Sequence, residues 1–93
     1  MVKEKALWKL LFSKRAVKDA KKLSSSNLKL KAEEILDLLE QDPLANPPPF
    51  KKLIGDFAGY YSRRINIQHR IVYSIDNENR EVHVLSMWTH YHD

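Results

Sequence analysis

The segment "DPLANPPPF", residues 42–50, holds all four prolines of this 93-residue chain. Proline fixes its own φ and has no N–H to donate, so this segment can continue neither a helix nor a central strand. It must be a loop, and it separates two kinds of periodicity. Before it, Leu28, Ala32, Ile35, Leu36 and Leu39 recur at helical spacing. After it, apolar and polar residues alternate as they do in half-buried strands. Residues 7–12 read as a first strand with Trp8, Leu10 and Phe12 on one face. Ser13 is placed to cap a helix over residues 14–23, where Ala16, Ala20 and Leu23 share a face. "SSSN" ends that helix and supplies a cap for a second one reaching Gln41. Strands are expected over residues 50–54, 60–67, 69–75 and 81–88. Gly55, Gly59 and the polar run "DNEN" mark the turns between them. In the last strand, Val82, Val84 and Trp88 should oppose His83, Leu85 and Met87. The predicted order is β-α-α-β-β-β-β, an α+β fold with two helices on one face of a mostly antiparallel sheet.

A chain of this length supports one core, so residues 1–93 are expected to form one domain. The absence of cysteine excludes a disulfide framework and thiolate chemistry. The opening "MVKEKALWKLLF" is basic and then apolar, but Lys9 interrupts it and Ser13 ends it, which is too short for a secretory leader. No apolar run reaches the roughly 20 residues of a membrane span, and a cytoplasmic location is expected.

Sixteen Lys and Arg against twelve Asp and Glu give a net charge of +4, which points to a polyanionic partner. Between Phe50 and Ile75 the cations are Lys51, Lys52, Arg63, Arg64 and Arg70, and the one acid is Asp56. Arg70 is out of phase with Ile71 and Tyr73, and Arg64 with Ile65 and Ile67. Both should point to the sheet face that the helices leave uncovered and solvated. The run Ser62-Arg63-Arg64 should divide, with one arginine outward and one structural.

Cations that contact phosphates, with tyrosine and histidine beside them, are equipment for handling RNA. Cleavage by internal attack needs the ribose 2′-OH deprotonated, the phosphorane stabilised and the 5′-oxygen protonated as it leaves. Histidine suits the proton steps and guanidinium the equatorial oxygens. That route requires no metal and no cofactor. His90 and His92 lie on one side of an extended chain, but two imidazoles and Asp93 fall short of a metal site. His69 and His83 are read as structural, and Tyr60, Tyr61 and Tyr73 as packing residues. No helix is basic along one face, which argues against a DNA-binding repressor.

The stretch "KKLIGDFAGYYSRRINIQHRIVYSID" with the ending "WTHY" resembles the YoeB/Txe branch of the RelE-like toxins of bacterial toxin–antitoxin pairs. The resemblance is carried by Leu53, Gly59, the Tyr-Ser-Arg-Arg-Ile run, His69-Arg70, Val72-Tyr73 and the closing His90-Tyr91. It implies a microbial-ribonuclease-like fold and ribosome-dependent cleavage of mRNA. The partners it implies are mRNA on the ribosome, a YefM-like acidic antitoxin and, as an open alternative, a second copy of the chain. By the same resemblance Arg70 is the phosphate-stabilising arginine, His90 the general acid and Tyr91 the terminal tyrosine of the catalytic set. Arg63 and Arg64 match the double arginine expected to contact RNA or shape the site. One position departs. Two residues before Leu53 the branch usually carries a glutamate as general base, and here Lys51 stands there. An ordinary lysine ammonium holds its proton at neutral pH and accepts none. Lysines do serve in the wider RelE group, so Lys51 is retained as a catalytic candidate and Lys52 as an RNA contact. The alternative is a catalytically weakened protein that binds ribosome, RNA or antitoxin without efficient cleavage.

Overall fold

The structure is a computed structural model that describes residues 7–88. The chain runs β1 (Lys9–Phe12), α1 (Lys14–Ser24), α2 (Lys29–Gln41), β2 (Lys51–Lys52), a 3-10 turn (Gly55–Phe57), β3 (Tyr61–Arg64), β4 (Arg70–Asp76) and β5 (Glu81–Ser86). The strands form one sheet in the order β1-β5-β4-β3-β2, antiparallel except where β1 lies parallel to β5. This is the α+β architecture expected from the sequence.

Ser13 joins strand to helix. Its hydroxyl accepts from Ala16 N–H at 3.0 Å as the cap of α1 and donates to Leu85 O at 2.6 Å. One side chain thus starts α1 and ties that start to β5. The second helix differs from expectation, because its cap position is Leu28 and no side chain caps it. Ser26 instead closes the turn between the helices, donating to Leu23 O at 2.8 Å and accepting from Leu28 N–H at 3.1 Å.

Ala16 and Leu23 of α1 and Ala32, Ile35 and Leu39 of α2 pack on Ile71, Tyr73, Val82 and Val84 of the sheet. Burying a side chain such as Leu39 or Ile71, each fully inaccessible, stabilises the fold by about 1.5–3 kcal/mol.

Three strand expectations are corrected. β2 is only Lys51–Lys52, because the chain turns at Gly55 (φ +67°), and Ile54 is left exposed. β3 ends at Arg64 rather than 67. There the Asn66 carboxamide oxygen accepts from the N–H groups of Gln68 and His69 at 2.8 and 2.7 Å, building a tight turn with Ile67 at its exposed tip. In β5 the alternation breaks. Val72 pairs with Ser86 while its neighbour Tyr73 pairs with Val84, so Leu85 is the extra residue of a β-bulge. The phase shifts by one beyond the bulge, and Met87 enters the core beside Val82 and Val84 instead of opposing them.

Candidate active site

Cross-strand pairing decides which side chains share a face. Lys51 stands opposite Ser62, Ser62 opposite Val72, and Val72 opposite Ser86. Arg64 stands opposite Arg70. Tyr73 and Ile71 take the helix side, so this second set projects from the other face. That face is not uniformly solvated as expected, since Ser62, Val72 and Ser86 are buried.

A cleft of about 290 Å³ lies on this face. Pro48, Pro49 and Phe50 form one wall, and Lys51, Ser62, Arg63, Arg64 and Arg70 line the rest. Arg70 Nη1 donates to Ser62 Oγ at 3.2 Å, which steers the guanidinium toward the strand pair. Arg64 and Lys51 are exposed. Among the described residues no carboxylate lines this cleft. Two arginines directly opposite in a ladder repel each other, a cost on the order of a few tenths of a kcal/mol or more. An anion seated between them removes that cost and gains charge-assisted hydrogen bonds.

Arg70, Arg64 and Lys51 are therefore brought together. Of the other two expected RNA contacts, Arg63 lines the cleft as a buried residue and Lys52 points elsewhere. Lys52 pairs with Tyr61, whose ring stacks on Tyr73 at 5.6 Å on the helix side, so Lys52 faces away from Lys51 and Arg70. Arg63 is 1% exposed. Its guanidinium donates to Pro48 O at 2.6 Å, to Ala45 O at 2.8 Å and to Pro43 O at 3.0 Å, and its Nε donates to Tyr73 Oη at 2.9 Å. Three loop carbonyls and a phenol occupy it, so Arg63 holds the proline loop. It shapes the cleft through that loop and also lines it. Tyr73 Oη also donates to Pro43 O at 3.1 Å, and burial pushes the phenol above its ordinary pKa, with Arg63 opposing that shift.

His90 and Tyr91 lie outside the described residues, as does His92. His69 is structural, its ring 4.3 Å from that of Trp88 and its Nδ1 3.2 Å from Asn66 Oδ1. His83 Nε2 lies 2.9 Å from Glu81 Oε1 at the sheet surface. With Asp76 these two place ligand atoms within 4.8 Å of one another. Exposed carboxylates at a hairpin base commonly sit so, and Asp76 is already engaged by the side chain and backbone of Asn79, which lower its pKa.

Two residues escaped the sequence reading. Ser62 positions Arg70, and only the register shows it. Asp19 is 3% exposed and accepts from Met87 N–H at 2.9 Å, tying α1 to the end of β5. Its spacing, three residues after Ala16 and four before Leu23, already placed it on the buried face of α1.

Known proteins share this fold. The family model described as "YoeB-like toxin of bacterial type II toxin-antitoxin system" matches residues 12–91. The Toxin YoeB of Synechocystis sp. is 37% identical over 76 residues, spanning 78% of this chain and 76% of the relative. The YoeB/ParE toxin from Agrobacterium tumefaciens superposes with a TM-score of 0.81 at 27% identity, covering 89% of this chain and 99% of its own. The toxin in the YoeB-YefM complex from Staphylococcus aureus gives a TM-score of 0.76 at 32% identity, covering 90% and 98% of the two chains. A YoeB dimer from the same organism has a TM-score of 0.76, 31% identity and the same coverage.

Proposed function

This chain belongs to the YoeB-like toxins of bacterial type II toxin–antitoxin systems, and we propose that it is an endoribonuclease that cuts mRNA on the ribosome. The observation that carries this reading is the Arg64–Arg70 pair, joined on one cleft by Lys51 and lined by no carboxylate among the described residues. Such a site takes a phosphodiester and disfavours other proteins' cations.

In the reaction the ribose 2′-OH gives up its proton to water, its oxygen attacks the adjacent phosphorus, and the bond to the 5′-oxygen breaks. The products are a 2′,3′-cyclic phosphate and a 5′-hydroxyl. Arg70, steered by Ser62, donates to the equatorial oxygens as their charge grows. His90 protonates the departing 5′-oxygen and Tyr91 completes the set, roles that follow from the family resemblance. Lys51 adds positive charge beside the phosphorane. Ribosome dependence fits this composition, because a cleft whose described residues include no carboxylate base relies heavily on held geometry, and the decoding site supplies it. The partner that silences the toxin is an acidic YefM-like antitoxin, and a second copy of the chain is a further partner. Both act in the cytoplasm.

The test is expression without the partner, followed by primer extension on a translated reporter. Growth arrest with new 5′ ends is expected. Arg70→Ala should lose about 10²–10³-fold of the cleavage rate and keep its thermal midpoint. Vector-like growth with intact reporter would sink the reading. A second reading has one observation in its favour, Lys51 at the place of the branch's glutamate. It predicts ribosome binding without cleavage, which sedimentation with ribosomes distinguishes.

A further inference from the structure

A second hollow lies on the same sheet face, about 260 Å³ in volume and outside the arginine cleft. Register defines its floor. Leu11 stands opposite His83, and His83 opposite Ser74. Tyr60, next to the Tyr61–Tyr73 pair, falls opposite Ser74 and closes the row. Leu85, the bulge residue, joins the lining with Phe12, Ser13 and Val84. This row runs parallel to the row Lys51–Ser62–Val72–Ser86 and lies two residues from it along β3 and β4. Two strand residues span about 6.6–6.8 Å, close to one nucleotide step of an extended single strand.

The two hollows differ in chemistry. The cleft is cationic and fits phosphate. The second has apolar walls of Leu11, Phe12, Val84 and Leu85. Its other groups are the phenol ring of Tyr60, the imidazole of His83 and the hydroxyls of Ser74 and Ser13, the latter already engaged at the cap of α1. Among the described residues no lysine, arginine or carboxylate lines it. Its volume is below the roughly 300–1,000 Å³ of clefts that hold drug-sized ligands, so it suits a single ring system. The Tyr60 ring is partly accessible, braced edge-on against Phe57 with centroids 6.3 Å apart. Base–aromatic contact accepts any base, whereas Ser74 and His83 offer hydrogen bonds to a base edge.

We infer that this hollow is a nucleobase subsite: with the RNA phosphate in the arginine cleft, the base of an adjoining nucleotide enters between Tyr60, Ser74 and His83. The inference rests on the ribonuclease reading of the cleft. It gives the toxin a means of selecting nucleotides at a position one step from the bond it cuts.

The experiment uses ribosomes programmed with an mRNA whose scissile nucleotide is 2′-deoxy, so that it binds but is not cut. Binding of the fluorescently labelled toxin is measured for the unmodified protein, Tyr60→Ala, Tyr60→Phe and His83→Ala. Each is repeated with mRNAs made abasic at one nucleotide flanking the scissile bond. Tyr60→Ala is expected to weaken binding about 5- to 100-fold, with Tyr60→Phe restoring most of it. On one of the abasic mRNAs the difference between variant and unmodified protein should vanish. His83→Ala, at an exposed side chain, carries the same comparison if Tyr60→Ala does not fold. Binding by both alanine variants equal to the unmodified protein, or a loss of the same size on every abasic mRNA, overturns the subsite. Cleavage of the all-ribose mRNA by the unmodified protein but not by Arg70→Ala is the separate arm for the ribonuclease reading. That arm can succeed while the subsite fails.

Discussion

Neighbouring arginines in one short strand do opposite work. Alternation with Ile65 already put Arg63 on the inner phase, but nothing in the sequence named its acceptors. The loop carbonyls of Pro43, Ala45 and Pro48 are 15 to 20 residues away along the chain. Lysine cannot replace Arg63, because a compact ammonium lacks the planar fork that meets three carbonyls and a phenol. Arg63→Lys is expected to destabilise the fold by about 2–4 kcal/mol, read from urea unfolding, whereas Arg64→Lys should change stability by less than about 0.5 kcal/mol. Equal effects would remove the distinction. Tyr73 gives a pH signature. Its pKa is raised above 10.0 by burial, so the folded state holds the phenolic proton more tightly than the unfolded chain. The contribution is fully present below pH about 10 and is lost as pH rises through the folded value. Alkaline unfolding curves should therefore fall more gently for Tyr73→Phe, whose stability at pH 7 should drop by about 1–3 kcal/mol from the lost partner of Arg63 Nε. At Lys51 the expected result is a gain. Lys51→Glu places a carboxylate opposite Ser62 and beside Arg70, where it stays ionised and can take the 2′-OH proton. Single-turnover cleavage on programmed ribosomes should rise for Lys51→Glu and not for Lys51→Ala. A fall in both variants makes Lys51 itself part of the catalytic set.

At the scale of elements, the sequence revealed what periodicity encodes and missed what a single hydrogen bond decides. The apolar stripe from Leu28 to Leu39 and the cap at Ser13 are local signals, and both stand in the structure. The end of β3 was misplaced because Ile67 continued the alternation, while the Asn66 carboxamide, a stronger local device, had already turned the chain. The bulge at Leu85 was invisible because its cause lies across the sheet, in the pairing of Val72 and Tyr73. It has a consequence for α1. The shifted phase turns Met87 inward and leaves its N–H facing the helix, where Asp19 accepts it in a buried setting. Asp19→Ala leaves that N–H without its acceptor, at a cost of about 1–3 kcal/mol. For a chain of this size each kcal/mol lowers the thermal midpoint by about 4–8 °C. A midpoint unchanged within 2 °C, below the smallest shift this scaling gives, would show that α1 and β5 are held together without this bond. The candidate site was legible to the same extent. Phase placed Arg64 and Arg70 on the open face and the same alternation sets Lys51 apart from Lys52, but the hydrogen bonds that fold the proline loop over the cleft were not readable.

For the whole molecule the decisive property is where charge sits. The chain carries +4, and between Phe50 and Ile75 five cations stand against Asp56 alone. Arg63 is engaged by the proline loop and Lys52 looks to the other side, which leaves Lys51, Arg64 and Arg70 as the cations of this segment that face the open side. A docking segment of an acidic antitoxin would meet this positive field before it makes any contact. Attraction of that kind speeds encounter more than it tightens the final complex, and it fades as salt shortens the Debye length from about 30 Å at 0.01 M to about 10 Å at 0.1 M. The association rate with the antitoxin should therefore fall steeply over that range while the dissociation rate changes little, measured by stopped-flow mixing. The combined variant Arg64→Gln/Lys51→Gln should flatten the salt dependence, because it removes two of the three cations without touching Arg63 or the core. Arg63 variants are unsuitable for this purpose, since they release the loop that walls the cleft. An association rate insensitive to salt in the unmodified protein would place antitoxin docking elsewhere. The apolar groove between α1 and α2, lined by Leu23, Ala32, Leu36 and Met87, is the alternative surface such a result would direct attention to.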